Sequence, residues 1–132
     1  LTGSGTVEVP EGMRRHLIDL GFVGESEKHD IMAVAVAFCH PSVNESLGIV
    51  LLESWLAGRP VLVHDRGVVL REQTRRARGG LWFRDYPEFQ ECLNLLLDHP
   101  ELAAALGAGG RDFTRREYSP EAVQARLLAA LR

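Results

Sequence analysis

Two carboxylates carry the most specific chemical signal in this chain: Glu45 in a polar loop and Glu53 on the apolar run that follows it. Glu45 stands beside Ser46 and Gly48 in "PSVNESLG", which leads directly into "IVLLESWLA". Free backbone N–H groups at a helix start attract anions, phosphate above all. On a helix, Glu53 has Ile49, Val50, Leu56 and Ala57 as its neighbours three and four residues away, which sets a carboxylate on an apolar stripe. Burying a carboxylate is costly unless it is paired or hydrogen-bonded, so Glu53 must face a cleft or have a dedicated partner. A loop carboxylate, anion-binding amides and a second carboxylate along the helix suit a ligand built of sugar, phosphate and nucleoside. The amides would hold the phosphates, and the carboxylates would accept hydrogen bonds from hydroxyls on either side. The residues alone leave another reading open, in which Glu45 is an ordinary loop residue and Glu53 pairs with one of the many arginines.

The elements that position this pair are legible around it. "VAVAF", Val34 to Phe38, is apolar and rich in β-branched residues, which predicts a buried parallel strand. Pro41, Ser42 and Asn44 break that pattern. Gly48 to Ala57 predict a helix, ended by Gly58 and by Pro60, which cannot continue it. "VLV" follows at once as another short strand, so the unit is β-loop-α-β, about the size of one crossover.

The segment "PSVNESLGIVLLESWLAGRPVL" closely resembles the donor-site segment of retaining GT-B glycosyltransferases. The pattern there is Pro-Ser, then Glu, any seven residues, Glu, and Ala/Gly-x-Gly-x-Pro-Val. Pro41, Ser42, Glu45, Gly48, Glu53, Gly58, Pro60 and Val61 fall on it. The resemblance implies half of a GT-B fold: an α/β domain with a Rossmann-like parallel sheet, helices on both faces and a helical C-terminal end. It implies that Ser42, Glu45, Ser46, Leu47, Gly48, Ile49 and Glu53 bind a nucleotide-sugar donor such as a UDP-, GDP- or ADP-sugar. Within that set Glu45 is the catalytic candidate at the donor sugar, Glu53 meets the ribose hydroxyls, and the amides of Leu47, Gly48 and Ile49 face the diphosphate. No cofactor or catalytic metal is implied.

The same resemblance extends over most of the chain. Gly3 and Gly5 match a Gly-x-Gly that borders the donor, although on its own a Gly-x-Gly followed by Pro10 is a weak signal. Leu17 to Leu20 suit a short strand bounded by Gly21 and Gly24, and the resemblance makes Phe22 and Val23 neighbours of the nucleobase, with a core position for Phe22 as the alternative. Ser26 suits an N-cap for a helix over "EKHDIMAVAV". Val68 to Ala77 predict a helix ended by Gly79-Gly80, and Glu72 matches a family glutamate, while Val68 departs from the family's Gly-Gly. Arg71, Arg75, Arg76 and Arg78 form a basic cluster that suits a solvated helix face or an anionic contact. "GLWF" predicts the last strand, and helices follow to the end, with Pro87, Pro100 and Pro120 at their starts.

Composition bounds the rest. A chain of 132 residues allows one domain with a sizeable core, and 45% apolar with 25% charged residues is ordinary for a globular domain. A net charge of −3 gives no support to a nucleic-acid partner, and no apolar run has membrane-spanning length. Cys39 and Cys92 read as inert buried thiols of a cytoplasmic protein, and His16, His29 and His40 show no ligand spacing. Against the family, the chain covers the later part of the second of two domains. Its expected partners are a nucleotide sugar and the acceptor domain of the same protein, through which any membrane association would run. The other function classes are a nucleotide-sugar isomerase (epimerase) of related fold, a non-catalytic nucleotide-binding module, or a structural Rossmann-like domain.

Overall fold

Val61, Leu62 and Val63 are consecutive and all buried, and because side chains alternate along a strand they feed two separate cores. They belong to β2 (Val61–His64), the centre of a parallel sheet that has three strands among the described residues, in the order β1-β2-β3. The structure, a computed structural model, describes residues 8–132. Its edge strands are β1 (Phe38–His40) and β3 (Gly80–Phe83), with Cys39 opposite Leu62 and Leu62 opposite Leu81.

Val61 and Val63 meet Leu51 and Trp55 of α2 (Ile49–Leu56), Leu70 and Ala77 of α3 (Val68–Ala77), and Phe113 of α5 (Pro100–Tyr118). Leu62 and Phe83 meet Leu96 and Phe89 of α4 (Tyr86–Asp98) and, from α5, Ala103 and Leu106. Helices therefore cover both faces of the sheet, as expected, and α5 contributes to both cores. α1 (Glu25–Val34) precedes the sheet, after a short 3-10 helix at Glu11–His16, and α6 (Pro120–Ala130) closes the chain. Ser119 caps α6 by accepting a hydrogen bond from the Ala122 amide, with Pro120 at the first helical position.

Both crossover helices end in the same way. At α2, the Gly58 amide donates to Trp55 O at 2.8 Å and the Arg59 amide to Ser54 O at 2.9 Å, with Gly58 left-handed at φ 77°. At α3 the matching bonds run from Arg78 to Arg75 O and from Gly79 to Thr74 O, and the left-handed residue is Arg78 at φ 48°. The expected glycine stop is thus displaced by one position. Gly79 is needed elsewhere: a Cβ there would lie 2.4 Å from Trp55 Nε1, and the Gly79 carbonyl accepts that indole N–H at 2.8 Å.

Four expectations need correction. The strand expected over Val34–Phe38 is confined to Phe38–His40, because α1 runs to Val34, whose side chain is exposed. Leu17 to Leu20 form no strand among the described residues, and Ile18 and Leu20 are exposed. Gly24, not Ser26, is the N-cap of α1, which places Ser26 inside the first turn. Cys39 is exposed rather than buried, since β1 is at the edge of the sheet among the described residues, and Cys92 is half-buried; both are free thiols.

Because all three strands are parallel, the segments following β1 and β2 leave the sheet at the same edge. They touch there: a Cβ on Gly67, which precedes α3, would lie 2.9 Å from the Ser42 carbonyl oxygen. This carboxyl edge is where ligands bind in open α/β sheets.

Candidate functional site

The 41–48 loop is turned into α2 by Gly48, whose backbone is left-handed at φ 60° and ψ 53°. The residue is buried, and a Cβ on it would come within 2.4 Å of Leu70 Cδ2. As the N-cap of α2 it brings no side chain to the first-turn amides, and no side chain among the described residues caps them. The turn leaves a hollow of about 340 Å³ lined by His40, Glu45 and the run from Ser46 to Val50. A carboxylate, an imidazole and the start of a helix thus share one cavity.

Glu45 is held from the strand side. His40, the last residue of β1, places Nε2 3.1 Å from Glu45 Oε1, and its ring stacks on Phe38 with centroids 5.9 Å apart. Both side chains stay partly open to solvent, so the contact orients the carboxylate without sealing it. The sequence showed no partner for His40, because its role depends on where the loop folds back.

Glu53 is held from α1. Lys28 Nζ lies 3.1 Å from Glu53 Oε1 and donates as well to Glu25, one turn earlier on its own helix. These hydrogen bonds, to Glu25 first and then Glu53, raise the Lys28 pKa above its ordinary value. Glu53 therefore does have a dedicated partner, a lysine rather than an arginine. Its other oxygen, Oε2, is buried without a hydrogen-bond partner among the described residues. Lys28 was missed in the sequence, where the only visible signal was its spacing from Glu25.

Glu45, Ser46, Leu47, Gly48 and Ile49 are gathered around one hollow, as expected. Glu53 is off that wall, one turn further along α2. An adjoining hollow of about 490 Å³, bounded in part by Lys28, His40, Val50 and Ser54, shares His40 and Val50 with the first. Ser42 is half-buried, with its carbonyl against Gly67. Phe22 is 88% exposed and is not a core residue, and neither it nor Val23 lines either hollow. Gly3 and Gly5 lie outside the described residues. The α3 arginines are engaged locally: Arg71 pairs with Asp65, Arg75 with Glu72, and Arg76 lies over the Phe113 ring.

With this geometry in place, the chain was compared with known proteins. The sequence model of the family described as Glycosyl transferases group 1 matches residues 11–113. The chain is 32% identical over 141 residues to the GDP-mannose-dependent monoacylated alpha-(1-6)-phosphatidylinositol monomannoside mannosyltransferase of Corynebacterium glutamicum, covering 96% of this chain and 36% of that protein. It is 27% identical over 103 residues to the human alpha-1,3/1,6-mannosyltransferase ALG2, covering 78% of this chain and 25% of that one. Among solved structures, Anabaena Alr3699/HepE in complex with UDP superposes with a TM-score of 0.79 at 19% identity, over 91% of this chain and 33% of that chain. The chain thus spans about a quarter to a third of the length of the proteins it matches. Among the described residues, no helix is long and apolar enough to cross a membrane.

Proposed function

The chain belongs to the group 1 glycosyl transferases, and on that premise we propose that it is the nucleotide-sugar-binding part of a two-domain retaining glycosyltransferase. The observation that carries this reading is the hollow at the start of α2, where Glu45 and the first-turn amides face one space. The amides of Leu47, Gly48 and Ile49 hold the donor's diphosphate, an anion matched to the positive end of the helix. Glu45, oriented by His40, accepts hydrogen bonds from the donor sugar and stabilises the positive charge that develops at its anomeric carbon. Glu53 accepts from the ribose hydroxyls, a charge-assisted contact stronger than a neutral one. The acceptor binds to the other domain, so this chain alone transfers no sugar.

Calorimetry on this chain tests the reading with UDP, GDP and ADP, and with the corresponding nucleotide sugars. One of the diphosphates should bind. Glu53→Gln should weaken both it and its nucleotide sugar by about 1–3 kcal/mol, the cost of losing a hydrogen bond to a charged group. Glu45→Gln should leave the bare diphosphate nearly unchanged and alter only the nucleotide sugar. Absence of heat with every diphosphate would overturn the proposal. Equal weakening of both ligands by both substitutions would overturn the division of roles.

A further inference from the structure

Arg59 and Arg111 share a hollow but meet no carboxylate. Arg71, Arg75, Arg84, Arg116 and Arg126 each pair with an aspartate or a glutamate. Arg59 instead donates through Nη2 to the Ala33 carbonyl, and the Arg111 side chain makes no hydrogen bond or ion pair among the described residues. The Nε of each is buried without a partner there. Both half-buried residues line a cavity of about 410 Å³, walled further by Pro60, Leu96, Leu97 and Ala104, and no carboxylate among the described residues lines it. The crossing of α5 over the end of α2 brings the two cations together. Gly107 lets the helices close, since a Cβ on it would collide with the Gly58 carbonyl oxygen. One turn on, Arg111 lays its guanidinium over Gly58, the chain neighbour of Arg59. A helix end favours a nearby cation, yet Arg111 caps no carbonyl of α2; the amides of Ala57, Gly58 and Arg59 take those of Glu53, Trp55 and Ser54. Pro60 immediately precedes β2, which sets this hollow at the amino edge of the sheet, and it shares no residue with the hollow at the start of α2.

We propose that this hollow is a second binding site, for a phosphate monoester carried on an apolar body. Buried polar groups are nearly always satisfied, and the acceptors that two guanidinium groups lack can come from within the cavity they line. Arginine suits phosphate because its planar fork meets two oxygens at once. A phosphate monoester carries about −1.5 to −2 charges at pH 7, which matches two arginines, whereas a carboxylate balances only one. Leu96, Leu97 and Ala104 offer the apolar part of the ligand a surface that water leaves favourably.

The test is calorimetric titration of the chain with hexyl phosphate, inorganic phosphate and hexanoate, together with sedimentation on phosphatidylcholine vesicles with and without phosphatidic acid. Hexyl phosphate should bind about tenfold more tightly than either of the other two small anions, because only it offers both the charge and the apolar body. Arg59→Gln and Arg111→Gln should each lower its affinity about tenfold, with Arg111→Lys keeping part of it. Co-sedimentation that requires phosphatidic acid and is lost in Arg111→Gln would identify a lipid headgroup as the source of the phosphate. Binding of hexyl phosphate without co-sedimentation would identify a free phosphomonoester, and either result supports the site. No heat with hexyl phosphate and no co-sedimentation would overturn the proposal. So would an affinity for hexyl phosphate that both glutamine variants retain, since the anion would then sit elsewhere, or one no higher than that for inorganic phosphate. Thermal unfolding of each variant separates a folding defect from a binding one, and Arg111→Lys, which keeps the charge, serves where a glutamine variant fails to fold.

Discussion

Gly48→Ala tests how far the site depends on one backbone angle. Gly48 sits at φ 60°, where an L-residue costs about 1–2 kcal/mol because its Cβ crowds the following carbonyl. The new methyl would also meet Leu70 Cδ2 at 2.4 Å. Leu70 is fully buried, so it cannot swing into solvent, and overpacking of this kind costs about 1–3 kcal/mol. Together these give a loss of about 2–5 kcal/mol from a fold whose total stability is of order 5–15 kcal/mol. Urea unfolding should show a lower midpoint at unchanged slope. Leu70→Ala costs about 2–5 kcal/mol alone, but the pair should cost less than the sum, because the new methyl enters the space that leucine vacates. The shortfall measures the clash, and what remains measures the angle. Where both proteins are folded, the variant should also bind nucleoside diphosphate more weakly than wild type, since relaxing φ moves Glu45 relative to the α2 amides. A stability loss below about 0.5 kcal/mol with full diphosphate affinity would refute the link between this turn and the site.

Two further expectations concern the scaffold. Trp55→Phe removes the indole hydrogen bond to Gly79 O and leaves unfilled space in a fully buried position, for a loss of about 1–3 kcal/mol in urea unfolding; the Gly79 carbonyl keeps its bond from the Val61 amide, so a loss well above this range would mean that the strand pairing had changed as well. Hydrogen bonds from the Arg84 side chain and then its backbone N–H hold the Glu88 pKa below the usual carboxylate range. Its folded value lies below its unfolded one, so the stabilisation is present above the unfolded value and is lost as pH falls through the folded value. Thermal unfolding of wild type and Glu88→Gln should therefore converge in acid, and curves that stay parallel would contradict this.

The sheet and its crossover helices were legible because their signals are local. The α2 run is closed by Gly58 and Pro60, "VLV" is too short and too apolar to be anything but a buried strand, and Ser119-Pro120 marks a helix start on its own. The errors arose where a local signal competed with packing. Val34 and Val36 suit a strand, yet α1 continues through Val34 because Met32 on the same helix is buried, and β1 needs only the three residues that face β2. Gly79-Gly80 do follow the end of α3, where the Gly79 amide donates to Thr74 O, but both glycines also serve close contacts: a Cβ on Gly80 would lie 2.0 Å from the Val61 carbonyl oxygen. A glycine required by tertiary packing looks identical, in sequence, to one required by a turn.

At the site, spacing was informative along the chain and silent across it. Glu53 is the fifth residue of α2, so the rise of the helix sets it about 6 Å beyond Ile49 and nearly on the same face. The interval between the two glutamates thus places one carboxylate before the first-turn amides and the other one turn past them, which suits a ligand whose charged middle separates two hydroxyl-bearing ends. That much follows from counting residues on a helix. The groups that hold the carboxylates do not follow: Lys28 comes from α1, 25 positions away from Glu53, and His40 from the end of β1. The helical period puts Glu53 on α2, but the packing of α1 against α2 decides that its partner is a lysine.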